Sequence, residues 1–249
     1  MGNVTEIYRH PIKAHGVEAL TEASLSVGMT IPWDRHWAVA HEASKADGSK
    51  WVPCANFSRG SKAPHLVALK AKLNEDDKSV TLSHPDRKDF TFQPDDERQL
   101  SGFLAWVKPL MPENRAQSAR IISSAGHGYT DFEDTSISIN NHASLRDFSA
   151  KIGQDLSPFR FRGNIWVDGM DAWSEHDLAG KNFRIGTAEF LGTERIERCL
   201  ATTANPDSGE RDADTLGTLK SEYGHQDFGI YARVVKAGKI AMNDELVIL

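Results

Sequence analysis

The sequence predicts a mostly β protein with a few helices, of the α+β class, built as a β-barrel or a strongly bent sheet with helices packed on it. Two observations carry this prediction. Short apolar segments recur between Gly, Pro and Asp residues, and only three segments have the apolar spacing of a helix. The regular strand–helix alternation of a parallel α/β fold is not part of the pattern.

The first part of the chain reads as short strands joined by turns. Residues 36–40, 65–69 and 79–82 are predicted as strands, because each is a short apolar or alternating run bounded by turn residues. Asp47-Gly48 is typical of a tight hairpin turn. This region is therefore predicted to be barrel-like.

A helix interrupts the strands after residue 94. Asp95, Asp96 and Glu97 provide a capped, acidic first turn, and Pro109 limits the helix at its other end. The apolar stripe on one face consists of Leu100, Phe103, Leu104 and Val107. The chain has 249 residues, enough for two small domains, and the predicted seam near residues 112–120 divides it into 1–115 and 116–249.

The second half again favours short strands, with two further helices. Asn140-Asn141 starts the second helix, and Gly224 stops the third. The stripes of these helices are Leu145, Phe148 and Ile152, and Leu216, Leu219 and Tyr223. The predicted strands are residues 119–122, 136–139, 164–167, 182–186, 188–192, 228–235, 239–242 and 245–249.

Composition excludes several classes of partner and cofactor. Lys and Arg total 29 against 35 Asp and Glu, so a net charge of −6 gives no electrostatic reason to bind nucleic acid. Two cysteines are too few for a protein-held iron–sulfur cluster. Without a signal sequence or an apolar run of about 18 residues, the chain is predicted to be cytoplasmic, with no membrane partner.

Several catalytic motifs are missing from the sequence. It contains no phosphate-binding P-loop, no Gly-x-Gly-x-x-Gly, no Gly-x-Ser-x-Gly and no His-Glu-x-x-His. P-loop hydrolysis, Rossmann redox chemistry, α/β-hydrolase catalysis and zincin chemistry therefore lose support. The histidines form no i, i+4 pair, so a site of several His ligands requires tertiary assembly.

The densest candidate for chemistry surrounds Cys199. Arg198 precedes it, and a hydroxyl-rich loop follows. An adjacent cation favours the thiolate, the form that attacks electrophiles and binds soft metals. The alternative is that Cys199 is a small buried apolar residue.

Three further groups are candidates for binding an anion. Arg160 and Arg162 alternate with aromatic residues and suit a phosphate, although a strand with Phe inward and Arg outward explains the pattern equally well. Lys13 and Arg35 reach the same anion if their strands pair, although exposed cations are usually only solvated. Residues 134–136 place hydroxyls at a strand start, where a turn or cap is the default.

Seven fragments occur in an order that resembles a known family. The fragments are Pro11-Ile12-Lys13, Gly28 with Asp34-Arg35, Asp134-Thr135-Ser136, Phe161-Arg162-Gly163-Asn164, Arg198-Cys199-Leu200-Ala201-Thr202-Thr203, Phe228-Gly229, and Gly238-Lys239-Ile240 with Asp244. In this order the chain resembles MOSC-domain proteins, named for the C-terminal domain of molybdenum cofactor sulfurase. The longer form, with a MOSC N-terminal β-barrel region, is the better match, and the nearest subgroup is the amidoxime-reducing-component type.

The resemblance implies a β-barrel MOSC fold that holds the molybdenum cofactor, a pterin with a dithiolene and a terminal phosphate. It implies that Cys199 gives its thiolate to molybdenum. Basic positions near the phosphate and pterin match Lys13, Arg35 and Arg162. Polar contacts to the pterin match Thr135, Ser136, Asn164 and Arg198.

The activity implied by the resemblance is the reduction of N-hydroxylated small molecules, such as hydroxylamines and amidoximes. Electrons come from a separate flavin or iron–sulfur donor. The alternatives are a sulfur carrier with a Cys199 persulfide, and a cofactor carrier without turnover. Two departures from the family pattern are Ala14 in place of a serine and Gly163 in place of a proline. Cys54 matches no family position and is expected to lie outside the chemistry.

Overall fold

The computed structural model describes residues 2–124, 126, 128–134 and 136–249. The helices are α1 (Glu97–Val107), α2 (His142–Ile152) and α3 (Thr215–Tyr223). The strands are β1 (Gly2–Arg9), β2 (Ile12–Lys13), β3 (Glu18–Leu20), β4 (Glu22–Leu25), β5 (Trp37–His41), β6 (Lys70–Asn74), β7 (Ser79–His84), β8 (Arg87–Phe92), β9 (Ser118–Ser123), β10 (Ile137–Asn141), β11 (Ile165–Asp168), β12 (Asn182–Ile185), β13 (Ala188–Glu197), β14 (Asp227–Lys236), β15 (Gly238–Ala241) and β16 (Glu245–Ile248).

A closed seven-stranded barrel forms the centre of the second half. Its strands follow the order β11-β10-β14-β13-β12-β16-β1, and β1 closes the ring by pairing with β11. Closure removes the free sheet edges that an open sheet would present to solvent. The interior is apolar and contains Val4, Ile7, Ile139, Ile165, Phe183, Phe190 and Ile230. The predicted mostly β class and barrel are confirmed.

Side-chain alternation decides what the outside of the barrel presents. Ile139 on β10 and Ile230 on β14 point into the core, so their neighbours Ser138 and Tyr231 point outward. Ser138 and Tyr231 are directly opposite each other in the antiparallel β10–β14 pair. The outer wall of the barrel is therefore polar at this position.

Two small sheets and α1 make up most of the N-terminal region. One sheet has the order β2-β5-β9 and the other β6-β7-β8, and they share a core that includes Trp37, Phe92 and Phe103. Strands of the N-terminal region also pair with strands of the second half. β1 and β3 belong to the sheet that forms the barrel, and β4 pairs with β15. The division into 1–115 and 116–249 stays a prediction, with β1 crossing it.

The helices begin and end where their local signals predict. Asp96 caps α1 by accepting a hydrogen bond from the Arg98 amide, and Asn141 caps α2 in the same way from Ala143. Asp214 caps α3, which ends at Gly224 with a positive φ of 77°. These short-range predictions are confirmed.

Two local predictions are wrong. Residues 65–69 are not a strand but lie largely in a 3-10 helix, Pro64–Ala68, because Pro64 fixes a helical φ at the first position of this turn. Asp47-Gly48 makes no hairpin, since β5 pairs with β2 and β9 instead. Among the described residues, no helix is both long and apolar enough to cross a membrane.

Candidate functional site

A cleft of about 270 Å³ lies where the outer wall of the barrel meets the N-terminal region. Ser138 and Tyr231 line it from the barrel, and Gly60 and Ser61 line it from the N-terminal region. Its cationic side chains are Lys13, Arg35, Arg59, Arg160, Arg162 and Arg198. Asp131 and Glu197 are its carboxylates. We call this the cationic cleft, and its charge favours an anionic ligand.

Lys13 lies on β2, and Arg35 lies in the turn that leads into β5. β2 and β5 are parallel neighbours, with Lys13 in register with Ala38. Lys13 Nζ donates to the Tyr129 carbonyl at 2.7 Å and to Asp131 Oδ1 at 2.5 Å. The expected pairing of two strands that carry Lys13 and Arg35 is therefore wrong in detail, because Arg35 precedes its strand, but both side chains line the same cleft.

Arg35 is held by the buried carboxylate next to it. Arg35 donates to Asp34, and its Nη2 donates to the Arg162 carbonyl at 3.1 Å. Burial lowers the pKa of Arg35, but Asp34 and Asp131 outweigh this and raise it above its ordinary value. Asp34 also accepts a hydrogen bond from the His10 amide at 2.7 Å. The charge of Arg35 is largely compensated within the protein.

Arg162 is the least compensated cation of the cleft. It follows the 3-10 helix Pro158–Phe161 in a left-handed conformation, with φ of 49°. Its Nη2 donates to the Gly16 carbonyl at 3.2 Å, and in the described chain it has no ion pair with a carboxylate. Burial and the nearby Arg35 lower the pKa of Arg162 to about 9. Burial and Arg35 thus disfavour the charge of Arg162, which an anionic ligand would stabilise.

Arg198 is fixed by neutral acceptors. Its guanidinium donates to the carbonyls of Phe228 and Phe161, each at 2.8 Å, and to Asn140 Oδ1 at 2.9 Å. It also lies 5.4 Å from the ring centre of Phe161. Burial lowers the pKa of Arg198 to about 10, and it forms no ion pair with a carboxylate of the described residues. Arg198 is therefore a second, pre-oriented cation of the cleft.

Residues 159–162, which include Arg160, do not form a strand. They belong to a 3-10 turn, in which Arg160 is buried instead of facing water. Its Nη2 pairs with Asp212 Oδ1 at 2.7 Å, and its Nη1 donates to the Thr202 carbonyl at 3.4 Å. The strand alternative is wrong, because the guanidinium has internal partners that make burial favourable.

Cys199 is exposed and lines the cationic cleft. It lies two residues after the end of β13 and directly precedes the 3-10 helix Leu200–Thr203. The alternative of a buried apolar cysteine is therefore wrong. Cys54 also lines the cleft, with its Sγ accepting a bond from Arg59 Nη1 at 2.7 Å. The expectation that placed Cys54 apart from the site did not anticipate this position.

Comparison with family models covers both halves of the chain. The model of the MOSC N-terminal beta barrel domain matches residues 1–117, and that of the MOSC domain matches residues 123–247. The chain belongs to the MOSC family. The predicted resemblance is confirmed.

Named relatives of this MOSC protein fall into two groups. Mitochondrial amidoxime-reducing component 1 of Danio rerio is 25% identical over 247 residues, covering 89% of this chain and 74% of the relative. Mitochondrial amidoxime reducing component 2 of Homo sapiens is 34% identical over 119 residues, covering 43% of this chain and 35% of the relative. Molybdenum cofactor sulfurase of Drosophila pseudoobscura pseudoobscura is 34% identical over 92 residues, covering 36% of this chain and 11% of the relative.

Solved structures resemble this chain more distantly. The YUAD protein from Bacillus subtilis has a TM-score of 0.45 at 13% identity, covering 99% of this chain and 94% of that one. YiiM from Geobacillus stearothermophilus has a TM-score of 0.36 at 18% identity and covers 45% of this chain and 53% of that one. The MOSC assignment therefore comes from the family models and not from these structures.

Two polar positions of the MOSC pattern, Ser136 and Asn164, are buried. Ser136 is buried, and its Oγ has no hydrogen-bond partner in the described part of the chain. Thr135 lies outside the described residues. No group of three His, Cys, Asp or Glu side chains is arranged around a metal position within the described ranges.

Asn164 has both ends of its amide occupied inside the protein. Its Oδ1 accepts from the Ser138 amide at 3.2 Å and from Ser138 Oγ at 3.0 Å. Its Nδ2 donates to the Tyr8 carbonyl at 3.1 Å. Asn164 therefore ties β11 to β10 and β1, and the cleft lining does not include it. The pterin contact implied for Asn164 stays a prediction.

We expect Asn164→Ala to lower the free energy of unfolding by about 2–4 kcal/mol, because it leaves buried groups of Ser138 and Tyr8 without partners. Urea unfolding of the cofactor-free protein measures this change. Asn182→Ala, at an exposed position of β12, is the matched control and is expected to stay within about 0.5 kcal/mol of wild type. If Asn164→Ala lowered the free energy of unfolding by less than about 1 kcal/mol, this would contradict the structural role of Asn164.

Proposed function

We propose that this MOSC protein binds the molybdenum cofactor in the cationic cleft and reduces N-hydroxylated compounds with electrons from a separate flavin or iron–sulfur donor. One observation carries the proposal. Arg162 and Arg198, two half-buried cations without a carboxylate partner in the described chain, line the same cleft as the exposed thiol of Cys199. An anionic ligand with a thiophilic metal satisfies both features.

The residues of the cleft fit the chemistry of the cofactor. A doubly charged phosphate needs several converging donors, which Lys13, Arg35 and Arg162 supply. The buried Oγ of Ser136 lacks a partner in the described chain, but Ser136 is not among the residues that line the cleft. When bound, the cofactor supplies a redox-active metal that exchanges oxygen atoms and electrons with the substrate.

The protein's own residues have distinct tasks in this proposal. Cys199 is the ligand that the chain gives to the metal, and its exposure leaves a path for a small substrate. Arg198 is held rigidly by three acceptors, so it presents positive charge to the pterin without reorganising. The names of the amidoxime-reducing relatives support an N-hydroxylated substrate.

Sulfur handling is the second candidate, and the position of Cys54 favours it. Two thiols line one cleft, and the guanidinium of Arg59 contacts Cys54 Sγ at 2.7 Å. Two thiols in one cleft suit the transfer of sulfur by thiol exchange. In this alternative Cys199 carries a persulfide, and no metal is needed. A cofactor carrier without turnover is the non-enzymatic form of the first proposal.

The first experiment produces the protein in a host that makes the cofactor and measures bound molybdenum and pterin. We expect close to one of each per chain, and turnover of hydroxylamine or an aryl amidoxime with dithionite-reduced methyl viologen as electron source. This donor removes dependence on the unknown partner. Cofactor without turnover favours the carrier. Thiocyanate release by cyanide from metal-free protein favours the persulfide. Protein that binds no cofactor and shows no turnover rejects the proposal.

A further inference from the structure

We propose that Tyr231 is a catalytic residue of this cleft and donates a proton to the oxygen of the N–O bond. The inference rests on the proposed function and deepens it by assigning a group to the proton that the reduction consumes. It also limits the substrate class to compounds whose N-bound oxygen accepts a hydrogen bond, which includes hydroxylamines and amidoximes.

The position of Tyr231 in the barrel places it in the cleft. Its neighbours Ile230 and Ala232 on β14 are core residues, so the Tyr231 side chain leaves the barrel on the outer face. There it lines the cleft together with Cys199 and Arg198. The ring is packed against Phe132, with the two ring centres 5.6 Å apart. Tyr231 is thus fixed on the wall that carries the proposed metal ligand.

The hydroxyl of Tyr231 is unused by the protein. It forms no hydrogen bond with any residue that the structure describes, whereas Tyr223 donates to Asp147 Oδ2 at 2.7 Å. The hydroxyl is not among the fully buried polar atoms of the described chain that lack a partner, so it is open to the cleft that Tyr231 lines. A ligand in the cleft can therefore reach it.

The surrounding charges keep the phenol in its donor form. Burial and the carboxylate of Asp131 raise the pKa of Tyr231 to about 12, against the opposing effects of Arg198 and Arg35. The thiolate form of Cys199 acts in the same direction as Asp131. At neutral pH Tyr231 therefore carries its proton, as a general acid must.

The reaction balances with Tyr231 in this role. A hydroxylamine takes up two electrons and two protons, the N–O bond breaks, and an amine and water are the products. The external flavin or iron–sulfur donor supplies both electrons. Tyr231 gives one proton to the departing oxygen and is reprotonated from solvent, which also supplies the second proton.

The test compares Tyr231→Phe with Tyr223→Phe, both produced with cofactor and assayed with reduced methyl viologen. We expect Tyr231→Phe to keep the wild-type molybdenum content and to lose at least tenfold in kcat, with a smaller change in KM. Tyr223→Phe, which lies outside the cleft lining, is expected to keep the wild-type kcat. Replacing Tyr231 by a fluorinated tyrosine, whose phenol is more acidic, is expected to move the alkaline loss of kcat to lower pH.

Two outcomes overturn the inference and leave the proposed function standing. One is a Tyr231→Phe protein with wild-type kcat and molybdenum. The other is a Tyr231→Phe protein that loses its molybdenum, because Tyr231 would then hold the cofactor instead of donating a proton. Wild-type protein without molybdenum or turnover instead rejects the proposed function itself.

Discussion

Cys199→Ala is expected to lose its bound molybdenum and to lose reductase activity by about 100-fold or more. Removing a residue that only supports a metal ligand typically costs about 10–100-fold, and loss of the ligand itself is expected to cost at least as much. Cys199 is exposed, so the free energy of unfolding of the cofactor-free protein is expected to stay within about 0.5 kcal/mol of wild type. Metal analysis, steady-state kinetics and urea unfolding measure the three quantities.

Leu200→Ala is the matched control for Cys199→Ala. Leu200 is the next residue, is exposed and does not line the cleft, so its truncation tests whether a change in this turn alone releases the metal. Cys54→Ala tests which thiol matters, and we expect it to retain molybdenum. Retention of the full metal content by Cys199→Ala would show that Cys199 is not a principal ligand.

Local signals in the sequence predicted the elements that position the site. Asn141 caps α2 because its side chain accepts a hydrogen bond from the Ala143 amide. A cap of this kind involves only neighbouring residues, so the sequence predicts it without the tertiary fold. Residues 65–69 failed because a short apolar run does not distinguish a strand from a helical turn. Pro64, at the first position of the 3-10 helix, was the signal that would have corrected this prediction.

The composition of the cleft was only partly predictable. Lys13, Arg35, Arg162, Arg198 and Cys199 were expected together only through the resemblance, because residues far apart in sequence meet by strand pairing and barrel closure. Sequence analysis did not select Tyr231, Asp131 or Arg59, since a lone Tyr, Asp or Arg has no spacing pattern that indicates a site. For Tyr231, the alternation of apolar residues along β14 was the signal that pointed it outward.

Tertiary contacts also decide the surroundings of Asn164 and Cys54. Asn164 was expected to contact the pterin, yet its amide is bonded to Ser138 and Tyr8, on strands that the sequence could not place beside it. Cys54 matches no family position and was expected to take no part in the chemistry, yet it lines the cleft. Both depend on tertiary contacts, which local propensity does not contain.

Arg162→Met is expected to reduce cofactor content by at least about tenfold while leaving the cofactor-free fold intact. Truncating one partner of a buried charged contact typically costs about 2–5 kcal/mol of binding free energy. In the described part of the chain, the Gly16 carbonyl is the one hydrogen-bond acceptor of the Arg162 guanidinium, so replacing Arg162 by an apolar side chain of similar length removes a poorly compensated charge. We therefore expect the free energy of unfolding of the cofactor-free protein to rise, or to fall by no more than about 1 kcal/mol.

Arg146→Met is the control, because Arg146 lies outside the cleft and forms an exposed ion pair with Asp168 at 2.7 Å. It is expected to keep the wild-type cofactor content, since an exposed ion pair contributes about 1 kcal/mol or less. The decisive feature is that cofactor content falls while the stability of the cofactor-free protein is largely kept or raised, because a residue that only supports the fold would lower both together. If Arg162→Met unfolds the cofactor-free protein, or binds as much pterin as wild type, Arg162 is a structural cation and the anionic end of the ligand lies elsewhere.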